Sequence, residues 1–318
     1  MNRILKLANV CAVALAAAAW SQNSRAADVK PEFIAKMKAA IPETPMVKPE
    51  KPRKVLVFTL ATGFVHSSIP VGAKLFELMG EKTGAWETTV SNSPDVFEAD
   101  SLNKFDAVIL ESTTGELFGV PKNERDLNKL APEEKEKQLR LRKNLLDFVS
   151  GGKGLVGIHA AGDCSYGWHE YGEMIGGYFN GHPWGKINVR IDDPKSPLTA
   201  QFEGKPFDFS DEIYTYKDTY TREKLHILLS VDIEKSGIKS GENRKDHDYG
   251  VAWIREYGKG RVFYTLFGHR EETYMNPMTV KFFLSGIQYA LGDLKADATP
   301  SGPLPPAPAT PPAEPAKP

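Results

Sequence analysis

Apolar and polar positions along this chain follow two different regimes. In the first half, short unbroken apolar runs alternate with helical stripes. Residues 54–60 (KVLVFTL) form a β-branched and apolar run of the kind a strand shows when both its faces are buried. Residues 70–80 then place Val71, Leu75, Leu78 and Met79 on one helical stripe. Residues 87–90 and 107–110 (AVIL) read as strands, and 132–149 as a charged helix with Leu141, Leu145, Phe148 and Val149 facing inward. Gly151 and Gly152 end that helix, and 154–158 (GLVGI) is the next strand. The order β-α-β-β-α-β with short connections predicts a parallel, doubly wound sheet.

The second half changes to strands in quick succession at 186–191, 207–214, 226–231, 250–254 and 261–267. The turn at Tyr257-Gly258-Lys259-Gly260 makes 251–267 a hairpin, and 277–291 closes the chain as a helix striped by Val280, Phe283, Leu284 and Ile287. Residues 53–295 therefore read as one α/β domain carrying an antiparallel β extension, without an internal repeat.

The termini differ in kind. Residues 1–26 carry the pattern of a secretory signal: Arg3 and Lys6, an apolar stretch from Ala8 to Ala19, and Ser24-Arg25-Ala26 before a cleavage point at Ala27. That predicts an exported protein, periplasmic or extracellular. No later stretch is apolar for long enough to span a bilayer. Residues 27–52 read as a proline- and lysine-bearing lead-in over the surface. Residues 296–318, rich in Pro and Ala, read as a disordered tail.

Composition narrows the function classes. Lys and Arg number 40 against 41 Asp and Glu, a formal charge of −1. Loss of Arg3, Lys6 and Arg25 with the signal takes this to −4. A balance this even gives no field for nucleic acid or an anionic membrane. Only Cys164 of the two cysteines lies beyond the signal, which excludes an intramolecular disulfide. Gly151-Gly152-Lys153-Gly154 lacks the spacing of a phosphate loop, so no nucleotide cofactor is expected. The number of subunits is not written in these features.

Candidate chemistry sits where ligands bind open α/β sheets, beyond the carboxyl ends of the strands. His66 follows the first strand, His159 the GLVGI strand and His269 the 261–267 strand, while His182 lies in a Gly-rich loop. Imidazoles so placed suit a divalent metal or proton transfer. Each alone is more often structural; together they point to a site. Adjacent Asp211 and Glu212 must point to opposite faces of a strand, so one can reach the site while the other pairs elsewhere. Trp168, Tyr178 and Trp184, with Asp163, offer apolar faces beside polar groups, suited to sugar stacking or equally to a core. Ser67 and Ser68 beside His66 lack the G-x-S-x-G elbow of a serine nucleophile.

The blocks KVLVFTLATGFVHSS, GLVGIHAAGD, YGEMIGGYFNGHPWG, DEIY and GRVFYTLFGH, in this order over roughly residues 53–293, resemble the ThuA-like (trehalose utilisation) family. The resemblance implies the flavodoxin-like fold of class I glutamine amidotransferases. There the elbow carries a nucleophilic Cys in G-x-C-x-G and a later strand is followed by His-x-Glu. Here Gly157-Ile158-His159-Ala160-Ala161 puts His159 at the elbow, and His269-Arg270-Glu271 matches His-x-Glu. Without the thiol, glutaminase chemistry through a thioester is excluded. Cys164 is five residues too late. The family implies sugar metabolism, on a small-molecule sugar or glycoside with 3-keto intermediates. In that reading His159, His269, Glu271, Asp211 and Glu212 are catalytic candidates, and Trp168, Tyr178, Trp184 and Asp163 contact substrate. His66, His159, His182 and His269 are the metal candidates. The alternative is a non-catalytic carbohydrate-binding or accessory protein that kept the fold. An envelope scaffold using the Pro-rich tail is a third reading.

Overall fold

A computed structural model describes residues 29–120, 126–217, 219–238 and 243–304. The central element is a nine-stranded mixed sheet in the order β2-β1-β3-β4-β11-β10-β9-β6-β7. Its parallel half comprises β1 (Lys54–Phe58), β2 (Glu87–Ser91), β3 (Ala107–Glu111), β4 (Gly154–Ile158) and β11 (Gly260–Thr265). The order within this half, with the first strand between the second and third, is that of a flavodoxin-like doubly wound sheet. Every residue of β3 and β4 is buried, as their unbroken apolar runs require.

Helices cover both faces. On one lie α1 (Pro31–Ala40), α2 (Ile69–Thr83) and α6 (Pro277–Ala290); on the other, α3 (Ala99–Leu102), α4 (Pro132–Ser150) and α5 (His169–Ile175). Their ends follow local chemistry. Prolines open α2, α4 and α6, where the missing N–H costs nothing. Glu133 and Glu134 sit at the positive end of α4, and the Asn276 side chain caps α6 by accepting from the Met278 N–H. The predicted stripe of α4 is the one buried.

The antiparallel extension comprises β6 (Trp184–Ile191), β7 (Phe207–Ile213), β9 (His226–Val231) and β10 (Gly250–Tyr257), with β10 and β11 forming the expected hairpin. A separate two-stranded ribbon pairs β5 (Tyr178–Phe179) with β8 (Tyr216–Lys217). In a flat sheet β7 would lie four strand spacings, ~19 Å, from β11. Yet the Asp211 carboxylate of β7 accepts the Gly268 N–H at 3.1 Å, just beyond the end of β11. The extension therefore curls back over the carboxyl ends of the parallel strands. Register irregularities in the β10–β9 and β6–β7 pairings provide the bends.

Two expectations about the termini change. The lead-in lies over the surface but as an anchored element, since it contains α1, whose Met37 is buried along with the following Ile41. The ammonium of Lys82 caps that helix by donating to the carbonyls of Lys38 and Ile41, each at 2.9 Å. Further on, Gln288 accepts the Met46 N–H at 2.7 Å, and Arg53 pairs with buried Asp293. At the other end, the stretch read as a disordered tail stays on the domain to Leu304. Ser301 N–H reaches the Leu225 carbonyl at 3.0 Å and Gly302 N–H the Arg222 carbonyl at 3.1 Å. His226 adds a 2.6 Å contact to the Thr299 carbonyl. In both segments a few residues supply edge hydrogen bonds or core apolar surface that composition averages away. The predicted signal, 1–26, and the remainder of the tail, 305–318, lie outside the described residues.

Candidate metal centre

Four side chains from four strand ends converge above the sheet. One donor atom each from His66, His159, Glu212 and His269 lies within 4.8 Å of the others, a group of the size and composition that holds a metal ion. The rings of His66 and His159 are 5.0 Å apart, and those of His66 and His269 5.2 Å.

His159 occupies the elbow after β4 with φ +46°, a left-handed conformation that costs a non-glycine residue on the order of 1–2 kcal/mol. The turn is held in place by Tyr264, whose hydroxyl donates to the His159 carbonyl at 2.6 Å. Inside the ring the tautomer follows from the partners. Nδ1 lies 2.8 Å from the Leu266 carbonyl, which can only accept, so Nδ1 carries the proton. Nε2 is turned into the group, 3.1 Å from the Tyr214 hydroxyl and facing Glu212. An imidazole oriented through Nδ1–H to a backbone carbonyl is a prepared metal ligand.

His269 is held by a different device. Asp211 is buried and receives the N–H groups of Gly268 and Arg270 and the Thr273 hydroxyl, each at 3.1 Å. The Gly268 carbonyl in turn accepts from Ser68 at 2.8 Å and lies 3.1 Å from the Tyr274 hydroxyl oxygen. Strand alternation thus divides the acidic pair as expected: Asp211 clamps the loop and Glu212 faces the histidines. Glu212 Oε2 is 3.2 Å from both His159 Nε2 and His269 Nδ1, and Oε1 is 3.3 Å from His182 Nε2.

Charge is distributed unevenly among these groups. Burial, reinforced by His159 and His269 beside it, lowers His66 to about 4, so it is neutral and able to ligate at neutral pH. Burial pushes the Glu212 carboxyl up, but the adjoining His159 and His269 outweigh it and hold it well below the usual range. Contact with Glu212 raises His269 against a smaller effect of burial. His66 Nδ1 and His269 Nδ1 are both buried without an aligned hydrogen-bond partner. His269 Nδ1 has the Glu212 carboxylate at 3.2 Å, whereas His66 Nδ1 has nothing, and a buried imidazole nitrogen left bare beside a carboxylate fits a cation better than a hydrogen-bond network.

The other sequence candidates take different places. His182 is half exposed, stacks on Phe179, and touches only the outer oxygen of Glu212, so Glu212 rather than His182 completes the compact group. Glu271 opens a 3-10 turn, Glu271–Met275, and is not among the four donors. Trp168 is buried, stacked on Tyr171 with Arg142 over its face. The Tyr178 hydroxyl, also buried, donates to the carbonyls of Ser165 and Trp168. Trp184 is partly buried against Tyr249, and Asp163 accepts from Tyr166. Burial pushes the Cys164 thiol up to about 12, which leaves it inert.

Three aromatic residues at the site escaped the sequence reading. Tyr214 lies on His159, with ring centroids 4.5 Å apart. Phe179 packs on Tyr214 at the same separation, and Phe64 stands edge-on to His66 at 4.8 Å. A usable signal existed for Tyr214, which sits two positions beyond Glu212 and so shares its face.

The fold agrees with what the chain resembles. Residues 54–290 match the family described as Trehalose utilisation (ThuA). The chain belongs to that family. Among solved structures, a ThuA-like protein from Bacteroides uniformis superposes with a TM-score of 0.56 at 17% identity, over 76% of this chain and 93% of the other. A ThuA-like protein from Parabacteroides merdae gives 0.50 at 16% identity, over 78% and 93%. These likenesses establish the shared fold. Among curated proteins no relative matches the chain.

Proposed function

We propose that this ThuA-family protein is exported and acts on a sugar or glycoside through a divalent cation held by His66, His159, Glu212 and His269. The observation carrying this reading is the convergence of those four donors, with His66 Nδ1 buried and without a hydrogen-bond partner beside them. A cation bound there supplies electrophilic polarisation of a substrate oxygen. A 3-keto-glycoside is the substrate class this suits, because its carbonyl acidifies the neighbouring C–H for isomerisation or β-elimination.

The chain's own residues do the rest. His159 presents Nε2 because Leu266 holds its Nδ1–H. Tyr214, whose hydroxyl is kept protonated by burial, stands ready to donate to an oxygen placed beside His159. His182, half exposed against the outer oxygen of Glu212, is the group best placed to exchange protons with solvent. Asp211 keeps His269 in position without touching substrate.

Elemental analysis of the protein purified without chelator or His-tag tests this, with wild type and His159→Ala side by side. Near-stoichiometric metal in the first and little in the second is the expected result, followed by turnover of 3-keto-glycosides. Absence of metal in both after adding back divalent ions removes the metal-assisted chemistry. Sugar binding without turnover would favour the accessory reading.

A further inference from the structure

Among the described residues, four large hydrophobic side chains stand exposed, and two of them are neighbours: Phe64 at 66% and Val65 at 69%. Both belong to the loop that delivers His66. Exposure of an isolated apolar side chain needs no explanation, but an adjacent pair at the edge of a polar cluster does.

The pair is not exposed because its loop is slack. Thr62 N–H donates to the Thr114 carbonyl at 2.9 Å and Gly63 N–H to the Thr114 hydroxyl at 3.2 Å. That hydroxyl donates onward to the Phe64 carbonyl at 2.8 Å. Gly63 and Gly115 pack so closely that a Cβ on Gly115 would come within 2.7 Å of the Gly63 nitrogen. The backbone is therefore fixed on both sides of Phe64, and its ring leans edge-on against His66. A rigid, solvent-facing aromatic ring adjoining ionisable groups is a surface divided like a pyranose, which has an apolar C–H face and a polar hydroxyl rim. Elsewhere on the rim Phe179 contacts Tyr214 and His182, adding a second ring beside the polar groups.

We infer that Phe64, with Val65 beside it, is a sugar-stacking subsite that holds a pyranose ring by its C–H face and presents its oxygens to the His66–His159–Glu212–His269 cluster. This deepens the reading of the preceding section and rests on it. The residues expected from the sequence to stack on sugar are in part unable to do so, since Trp168 and Tyr178 are buried. Phe64 supplies the missing face.

The test is a titration of the full chain with trehalose and, separately, methyl α-glucoside, followed by ligand-observed NMR. Wild type, Phe64→Ala and Phe64→Tyr are compared, each checked for metal content, melting temperature and sedimentation. Phe64→Ala should weaken sugar binding about tenfold, the scale of one aromatic contact, while Phe64→Tyr retains it and metal content stays unchanged. In wild type, saturation should pass most strongly to the ring C–H protons of one sugar face. Sugar affinity equal in wild type and Phe64→Ala overturns the subsite while leaving the sugar reading standing. So does loss of self-association in Phe64→Ala with sugar affinity intact, which would assign the lip to a second copy of the chain. Failure of wild type to bind either sugar overturns the sugar reading, and the subsite with it.

Discussion

Glu111 ends β3 beneath the histidine loop, fully buried, and its environment makes a quantitative demand on stability. One carboxyl oxygen accepts from the Tyr274 hydroxyl at 2.6 Å, and the other has no partner. Burial pushes the group from its usual 4.5 up to about 8, only partly opposed by Tyr274 and Ser112. A carboxyl raised on folding is a proton the folded state holds more tightly than the unfolded chain does. Its cost is therefore absent below about pH 4.5, grows between 4.5 and about 8, and is constant above. That interval is roughly three and a half pH units at about 1.4 kcal/mol each, a ceiling of about 5 kcal/mol. Glu111→Gln is close to isosteric with the neutral acid and keeps the acceptor for Tyr274. The variant should match wild type near pH 4.5 and exceed it increasingly to pH 8, by a few kcal/mol. Urea unfolding of both proteins at half-unit steps from pH 4.5 to 9, with chelator present, measures the difference, and titrations common to both cancel. Parallel stability curves across that range would refute the buried neutral carboxyl.

Two further predictions follow from the same geometry. Asp211→Ala removes the three hydrogen bonds that tie β7 to the Gly268–Thr273 loop, so about 3–5 kcal/mol of stability should go, with faster amide exchange at Gly268 and Arg270. Unchanged exchange there would deny Asp211 its positioning role. Met37→Ala, at a fully buried position of α1, should cost about 2–5 kcal/mol in thermal or chemical unfolding. A near-neutral result would mean that Met37 does not anchor that helix.

The parallel half of the fold was legible because a strand buried on both faces leaves an unmistakable apolar run, and GLVGI and AVIL are such runs. The site's histidines were legible for a topological reason: carboxyl ends of parallel strands share one edge of the sheet, so residues just beyond them meet. Glu212 needed more. Its approach to His159 depends on the curl of the extension, which arises from irregular pairing rather than from any single residue's preference. The sequence could state that Asp211 and Glu212 face opposite ways, but which one faces inward was decided by the Gly268–Thr273 loop. Two of the aromatic candidates, Trp168 and Tyr178, lie in the core for a related reason. Trp168 is buried and Phe64 exposed, and side-chain type alone cannot distinguish a ring in the core from one on the rim. In the lead-in, one helical turn carrying Met37 outweighed a composition typical of loops.

The four donors sit at positions 66, 159, 212 and 269 and share no local segment of chain. Before the sheet has closed and its extension has curled over, no two of them are neighbours, and the growing chain offers a cation nothing better than scattered histidines. Under the proposed reading, selection of the ion would accordingly be deferred until folding is complete. It would be made by a cavity of fixed donors rather than by a flexible peptide that would favour the tightest-binding ion available. Under the proposal that the chain is exported and holds a cation, the compartment in which it folds, not the one in which it is synthesised, would set the ions from which it chooses.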